Sequence, residues 1–138
     1  DQTMTYFIKR FDRKGHKSKL AVEDFAQLLQ MSRDTKYRSS MEKVISVIET
    51  FCSFPKIEAV KLFKLTLFNY LVGNEDMHLK NFSLITREGK VTLSPVYDLL
   101  NTTIVQKNSR EELALSLNGK KNNLTRKDFL DYFAKRLG

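Results

Sequence analysis

A single cysteine, Cys52, in 138 residues excludes an internal disulfide and fits a reducing compartment, so a cytoplasmic location is expected. Cys52 falls on the apolar face of a helical pattern and reads as a packed core residue, not a nucleophile. No run approaches the roughly 18 apolar residues a membrane helix needs, since Lys61 and Lys64 interrupt the best candidate. The opening DQTMTYFIKR lacks the apolar core and small-residue cleavage site of a signal peptide. The two histidines, His16 and His78, stand far apart without helpers at ligand spacing, so no zinc site is expected. Five dispersed glycines include no glycine-rich phosphate loop, and no Val-Ala-Ile-Lys-like strand precedes Met4. No internal repeat or low-complexity segment is visible.

A hydrophobic content of 41%, with ten Phe and five Tyr, is that of one globular domain with a real core. Twenty-four Lys and Arg against sixteen Asp and Glu leave a net charge of +8. That balance favours anionic partners: nucleotide phosphates, nucleic acid or an acidic protein face. The cations are scattered, with small clusters at Lys9 to Lys19 and Lys120 to Lys127.

Met4 to Phe11 alternates and is rich in β-formers, which predicts a strand with Met4, Tyr6 and Ile8 on one side. A turn-rich connection, Arg13-Lys14-Gly15-His16-Lys17, follows. Three-and-four spacing of apolar residues predicts amphipathic helices over Leu20 to Met31 and from Met41 to Phe51. Ser39-Ser40-Met41-Glu42 fits a capping box, and Phe54-Pro55 is expected to end the second helix. Lys56 to Val72 is apolar round nearly its whole circumference, which predicts the most buried helix, capped by Gly73. Phe82 to Thr86 and Val91 to Ser94 read as a short β-hairpin around Glu88-Gly89. Leu99 to Val105 reads as irregular or a short helix, and Leu113 to Leu117 as a strand closed by Asn118-Gly119. Thr125 to Asp128 opens a last helix with Phe129, Leu130, Tyr132, Phe133 and Leu137 on its apolar face.

The chemistry concentrates after Gly73. Asp76 and Asn81 have four residues between them, the Asp-x-x-x-x-Asn spacing of a kinase catalytic loop. There the Asp takes the substrate hydroxyl proton and the Asn holds magnesium. Asp98, beyond the hairpin, stands where a kinase places its other metal-binding Asp. Phosphoryl transfer needs a hydroxyl-orienting carboxylate and oxygen ligands for Mg2+, which Asp76, Asn81 and Asp98 supply. His78 and Lys80, between them, can meet phosphate oxygens. Glu75 reads as a loop charge only.

The strings Asn74-Glu75-Asp76-Met77-His78-Leu79-Lys80-Asn81-Phe82 and Pro95-Val96-Tyr97-Asp98-Leu99-Leu100 closely resemble the HipA family of toxin serine/threonine kinases. The resemblance implies a mainly α fold with short β-strands (α+β), a kinase-like C-lobe of the HipA type with its N-lobe missing. On it, residues 1–13 would be a hinge strand and hinge-like segment, and 14–138 a partial helical C-lobe. Lys9, Arg10 and Phe11 in Lys9-Arg10-Phe11-Asp12-Arg13 resemble the hinge under the adenine of ATP, with Lys9 where the family usually carries an acidic residue. Tyr97 would pack against the nucleotide. The resemblance also implies ATP and Mg2+ as cofactors, a DNA-binding antitoxin as partner, and a protein substrate of the translation machinery such as a glutamyl-tRNA synthetase. It covers the hinge and most of a C-lobe, so an N-lobe was either cut away or is a separate chain, and the 138 residues alone are expected to turn over little or no ATP.

Two other readings stand beside it. A basic nucleic-acid-binding module would use the Lys/Arg clusters with Phe and Tyr, with salt-dependent affinity indifferent to magnesium. A non-catalytic interaction lobe would keep the fold as a partner-binding surface.

Overall fold

The structure, a computed structural model, describes residues 5, 7–15, 17–104 and 111–137, the last three by backbone alone. Met4, Tyr6, His16, Val105 and the Leu137 side chain, all named above, lie outside the described residues. In chain order the elements are β1 (Arg13–Lys14), β2 (Ser18–Lys19), β3 (Val22–Asp24), α1 (Phe25–Leu28), α2 (Met41–Phe51), α3 (Pro55–Val72), β4 (Ser83–Arg87), β5 (Lys90–Leu93) and α4 (Arg126–Leu137). Single 3₁₀ turns form at Arg33–Thr35, Leu79–Asn81 and Thr102–Ile104. The class is α+β, as expected. β3, β4 and β5 make an antiparallel sheet with Val22 opposite Ile85 and Leu84 opposite Leu93. The hairpin turn at Glu88-Gly89 forms as its sequence predicts, with φ of 50° and 73°.

Helix α2 buries Met41, Val44, Ile45 and Ile48, the face its periodicity defines. It packs against α3, and α4 packs on the far end of α3 through Phe63–Phe133 and Tyr70–Phe129 ring contacts. Cys52 is buried in this core, and burial pushes its thiol up to about 12, which leaves it protonated and inert.

Several expectations from periodicity give way to tertiary partners. The helix expected from Leu20 is a strand as far as Asp24, because Val22 to Asp24 pair with β4. Asp24 then starts α1 through a capping box: its carboxylate accepts the Gln27 N–H, and Gln27 Oε1 accepts the Asp24 N–H, both at 2.9 Å. The capping box expected at Ser39 to Glu42 does not form. Ser40 makes no side-chain cap bond. Glu42 instead accepts the Asn118 N–H at 3.0 Å, and Ser116 O takes the Met41 N–H at 2.8 Å. Pro55 does not end α2, which stops at Phe51; it opens α3 at the position where its missing N–H is no loss. Leu113 to Leu117 makes only isolated bridges, with Leu113, Ala114, Leu115 and Leu117 all buried, so the alternation is not that of a strand. Its closing turn at Asn118-Gly119 does form. In α4 the N3 half of the expected box is present: Asp128 accepts from both the N–H and Oγ1–H of Thr125. Leu130 on that helix is exposed. Residues 7–10 form no strand, and Phe7 is 89% exposed, because no partner strand lies beside them among the described residues.

The largest correction concerns α3. It is not buried all round; its buried stripe is Glu58, Ala59, Leu62, Thr66 and Asn69, and Ile57, Val60, Phe68 and Leu71 face outward. Three of the buried five are polar, and each has a bonded reason to be there. Glu58 takes the Leu93 N–H of β5 at 3.0 Å and the Lys61 ammonium at 2.7 Å. Thr66 donates to Leu62 O at 2.8 Å. Asn69 donates to Leu65 O at 2.8 Å and keeps its own oxygen for the loop that follows.

Candidate active site

Helix α3 ends at Gly73, whose φ of 70° reverses the chain. Only glycine fits there for a second reason: a Cβ would sit 2.8 Å from Thr103 Cγ2. The loop it releases is organised by Asn74, buried at its centre. Asn74 Nδ2 donates to Asn69 Oδ1 at 2.7 Å and to the Asp98 carbonyl at 3.2 Å, while its Oδ1 accepts the Asp76 N–H at 3.2 Å. Asn81 Nδ2 donates to the Asp76 carbonyl at 2.9 Å. Thr102 seals the edge, its N–H and Oγ1–H donating to Gly73 O and its oxygen accepting the Glu75 N–H at 2.9 Å. Asp76, Asn81 and Asp98, separated in sequence, are thus tied by one hydrogen-bonded network.

Asp98 is exposed and adopts a left-handed φ of 58°, a strained conformation for a residue with a side chain. Among the described residues no hydrogen bond or ion pair engages its carboxylate. The Asn81 amide nitrogen is committed to the Asp76 carbonyl, so Oδ1 is the atom it could offer a cation. This donor set, one carboxylate and one amide oxygen, suits a hard cation such as magnesium. Among the described residues no group of three or more His, Cys, Asp or Glu is arranged to hold a metal, so such an ion would draw further ligands from phosphate and water.

Two neighbours of the loop carried no signal in the sequence. The Tyr37 hydroxyl donates to Asp76 Oδ1, and the Lys36 ammonium lies 2.7 Å from His78 Nε2. The Tyr37 ring stands edge-on to the His78 ring at 5.0 Å. Burial, then the hydrogen bond to Asp76, pushes the Tyr37 phenol up to about 12. The raised value means this contact favours the folded chain below the ordinary phenol range and is lost as pH rises through about 12. His78 is buried, and burial followed by the Lys36 charge holds it below the usual histidine range, hence neutral at pH 7. It is engaged by Lys36 and does not line the cleft that holds Lys80 and Tyr97. Lys80 pairs with Asp24 at 2.6 Å, which joins the loop to the cap of α1.

The hinge-like residues Lys9, Arg10 and Phe11 line a cleft of about 730 Å3 together with Asp24, Lys80, Ser83 and Tyr97. Phe11 and Tyr97 face each other as a stacked pair with centroids 5.8 Å apart. Tyr97 is fixed by donating to Lys80 O at 2.8 Å and by a hydroxyl contact with Ser83. Arg10 forks onto Asp12 at 2.8 and 2.7 Å. Lys9, Arg10, Phe11, Lys80 and Tyr97 therefore meet in one place, with Asp76, Asn81 and Asp98 bonded together next to it. A second cleft, of about 680 Å3, runs between α3 and β4–β5 and touches the site through Asn81 and Ser83. In the basic clusters many cations are already paired: Arg10 and Arg13 with Asp12, Lys120 with Asp128, Lys121 with Glu111 and Lys127 with Asp131. Among the described residues no helix is long and apolar enough to cross a membrane.

The family model described as HipA-like C-terminal domain matches residues 1–138. Two proteins of Sinorhizobium fredii with provisional kinase names are similar: Y4mE, 32% identical over 69% of this chain and 24% of its own, and Y4dM, 39% identical over 69% of this chain and 23% of its own. The chain spans about a quarter of the length of these relatives. In fold it matches a chain of the Shewanella oneidensis MR-1 toxin–antitoxin complex of HipA, HipB and operator DNA, with a TM-score of 0.78 at 24% identity, over 94% of this chain and 35% of that one.

Proposed function

The chain belongs to the HipA-like C-terminal domain family, and from that premise we propose that it is the catalytic lobe of a serine/threonine protein kinase. The observation that carries the reading is the Asn74 network, which ties the loop of Asp76 and Asn81 to the backbone of Asp98. In the proposed roles, Asp76 orients the acceptor hydroxyl and takes its proton, and Asn81 and Asp98 hold Mg2+. The ion's chemistry would be to neutralise charge on the transferring phosphate. The stacked Phe11–Tyr97 pair would form one wall against the adenine, with the backbone of Lys9 and Arg10 beside it. Lys80 lines the same cleft, and neutral His78, held by Lys36, is a packing member of the loop.

The family and the Shewanella complex support a finer proposal, that the parent protein is the toxin of a toxin–antitoxin pair, held by a DNA-binding antitoxin. Its substrate would be a protein of the translation machinery, with a glutamyl-tRNA synthetase as the first candidate. Because this sequence carries no glycine-rich loop, the 138 residues alone should turn over little ATP until an N-lobe is supplied. The pairing of many clustered cations with carboxylates weighs against a nucleic-acid-binding module.

Calorimetry of ATP binding with and without magnesium, in the native chain and Asp98→Asn, tests the reading. Binding that requires magnesium and disappears in the variant is expected. Binding indifferent to both would overturn it.

A further inference from the structure

A base in phosphoryl transfer must accept a hydrogen bond from the hydroxyl it will deprotonate. In this structure a hydroxyl already does so, and it comes from the chain itself: Tyr37 donates to Asp76 Oδ1 from 39 residues away in sequence. We infer that Tyr37 is a tethered stand-in for the acceptor, holding the substrate hydroxyl's place on Asp76 until the segment carrying it lifts away. The inference rests on the proposed function, since it takes Asp76 as the base.

The tether is built from adjacent residues. Lys36 O accepts the Leu79 N–H at 3.3 Å, the Lys36 ammonium contacts His78 Nε2, and the Tyr37 and His78 rings meet in a T-shaped contact. All of these hold the strap to the loop around Asp76. Tyr37 is nevertheless 41% exposed, so the strap can lift without opening the hydrophobic core. With Nε2 accepting from Lys36, the other ring nitrogen of His78, Nδ1, carries the proton and has no partner among the described residues. The phenol stays protonated far above neutral pH, so it serves as a donor and not as a competing base. Tyr37 is thus a gate on acceptor access, and substrates compete with it for one carboxylate oxygen.

Two measurements on the native chain test this without requiring turnover. The first follows tyrosinate absorbance against pH, with Tyr37→Phe subtracted to isolate the one phenol. A midpoint near about 12 that falls toward the ordinary value in Asp76→Ala is expected. An ordinary midpoint, or one that Asp76→Ala does not move, overturns the inference. The second labels carboxylates with a carbodiimide and an amine, read by peptide mass spectrometry. Asp76 should label several-fold faster in Tyr37→Ala than in the native chain, while exposed Asp98 labels equally in both. Equal labelling of Asp76 overturns the gate. If the alanine variant unfolds, Tyr37→Phe keeps the ring against His78 and should give a smaller increase in the same direction. Loss of magnesium-dependent nucleotide binding would remove the kinase reading and leave the titration untouched. An ordinary phenol midpoint would remove the gate and leave nucleotide binding intact.

Discussion

Residues 73–81 and residues 7–19 border the same region, and they are held by opposite means. In the first stretch Gly73, Asn74, Glu75, Asp76 and Asn81 all take part in hydrogen bonds to each other or to Asn69, Asp98 and Thr102. In the second, the ladder is two residues per strand, Phe7 and Ile8 are exposed, and the firmest contacts are the Arg10–Asp12 fork and the Phe11–Tyr97 stack. The first stretch has most of its polar groups bonded, with Glu75 Oε2 and His78 Nδ1 the buried side-chain atoms left without a partner among the described residues. Among the described residues the second is held by that short ladder, the Leu20 N–H bond to Asp12 O, one aromatic stack and the ion pairs of Asp12. The candidate catalytic residues therefore sit on the more densely bonded stretch, and the hinge-like wall of the cleft on the more sparsely bonded one.

Substitutions can break that comparison at either end. Gly73→Ala meets both a left-handed φ and the Thr103 methyl group, and should lose roughly 2–3 kcal/mol in thermal or urea unfolding. A loss under about 0.5 kcal/mol would mean the turn is not rigidly seated. Asn74→Ala strands the Asn69 oxygen, the Asp98 carbonyl and the Asp76 N–H, and a loss of about 1–3 kcal/mol is expected by the same measurement. Magnesium-dependent nucleotide binding should weaken with it, because Asp98 loses its tie to the loop. Ile8→Ser, on the loose side, should change stability by less than about 0.5 kcal/mol. A loss above about 1 kcal/mol would show that the segment is packed after all, and the contrast would fail.

What the sequence disclosed follows the same division. Local signals were legible: the faces of α2, the Gly73 cap, the Glu88-Gly89 turn and the spacing of Asp76 and Asn81 depend on neighbours along the chain. Partners distant in sequence were not. Val22 to Asp24 carry a helical period but pair with β4, whose position no local pattern encodes. The outer apolar residues of α3 looked like core, yet Glu58, Thr66 and Asn69 take the buried stripe because their bonds are made to β5, the helix backbone and the loop. Lys36 and Tyr37 lie in the polar stretch between the two expected helices, and nothing in its composition marks a residue that reaches Asp76. Asn69 did leave a trace, as a lone amide in an apolar helix five residues before Asn74.

Thr102 has one more consequence. Its hydroxyl and amide both depend on Gly73 O, and the Glu75 amide depends on that hydroxyl. Any fluctuation that exposes one of these amides to solvent exposes the others, so their protons should exchange as one cooperative unit. On that expectation the turn at Gly73 and the segment at Thr102 open as one piece.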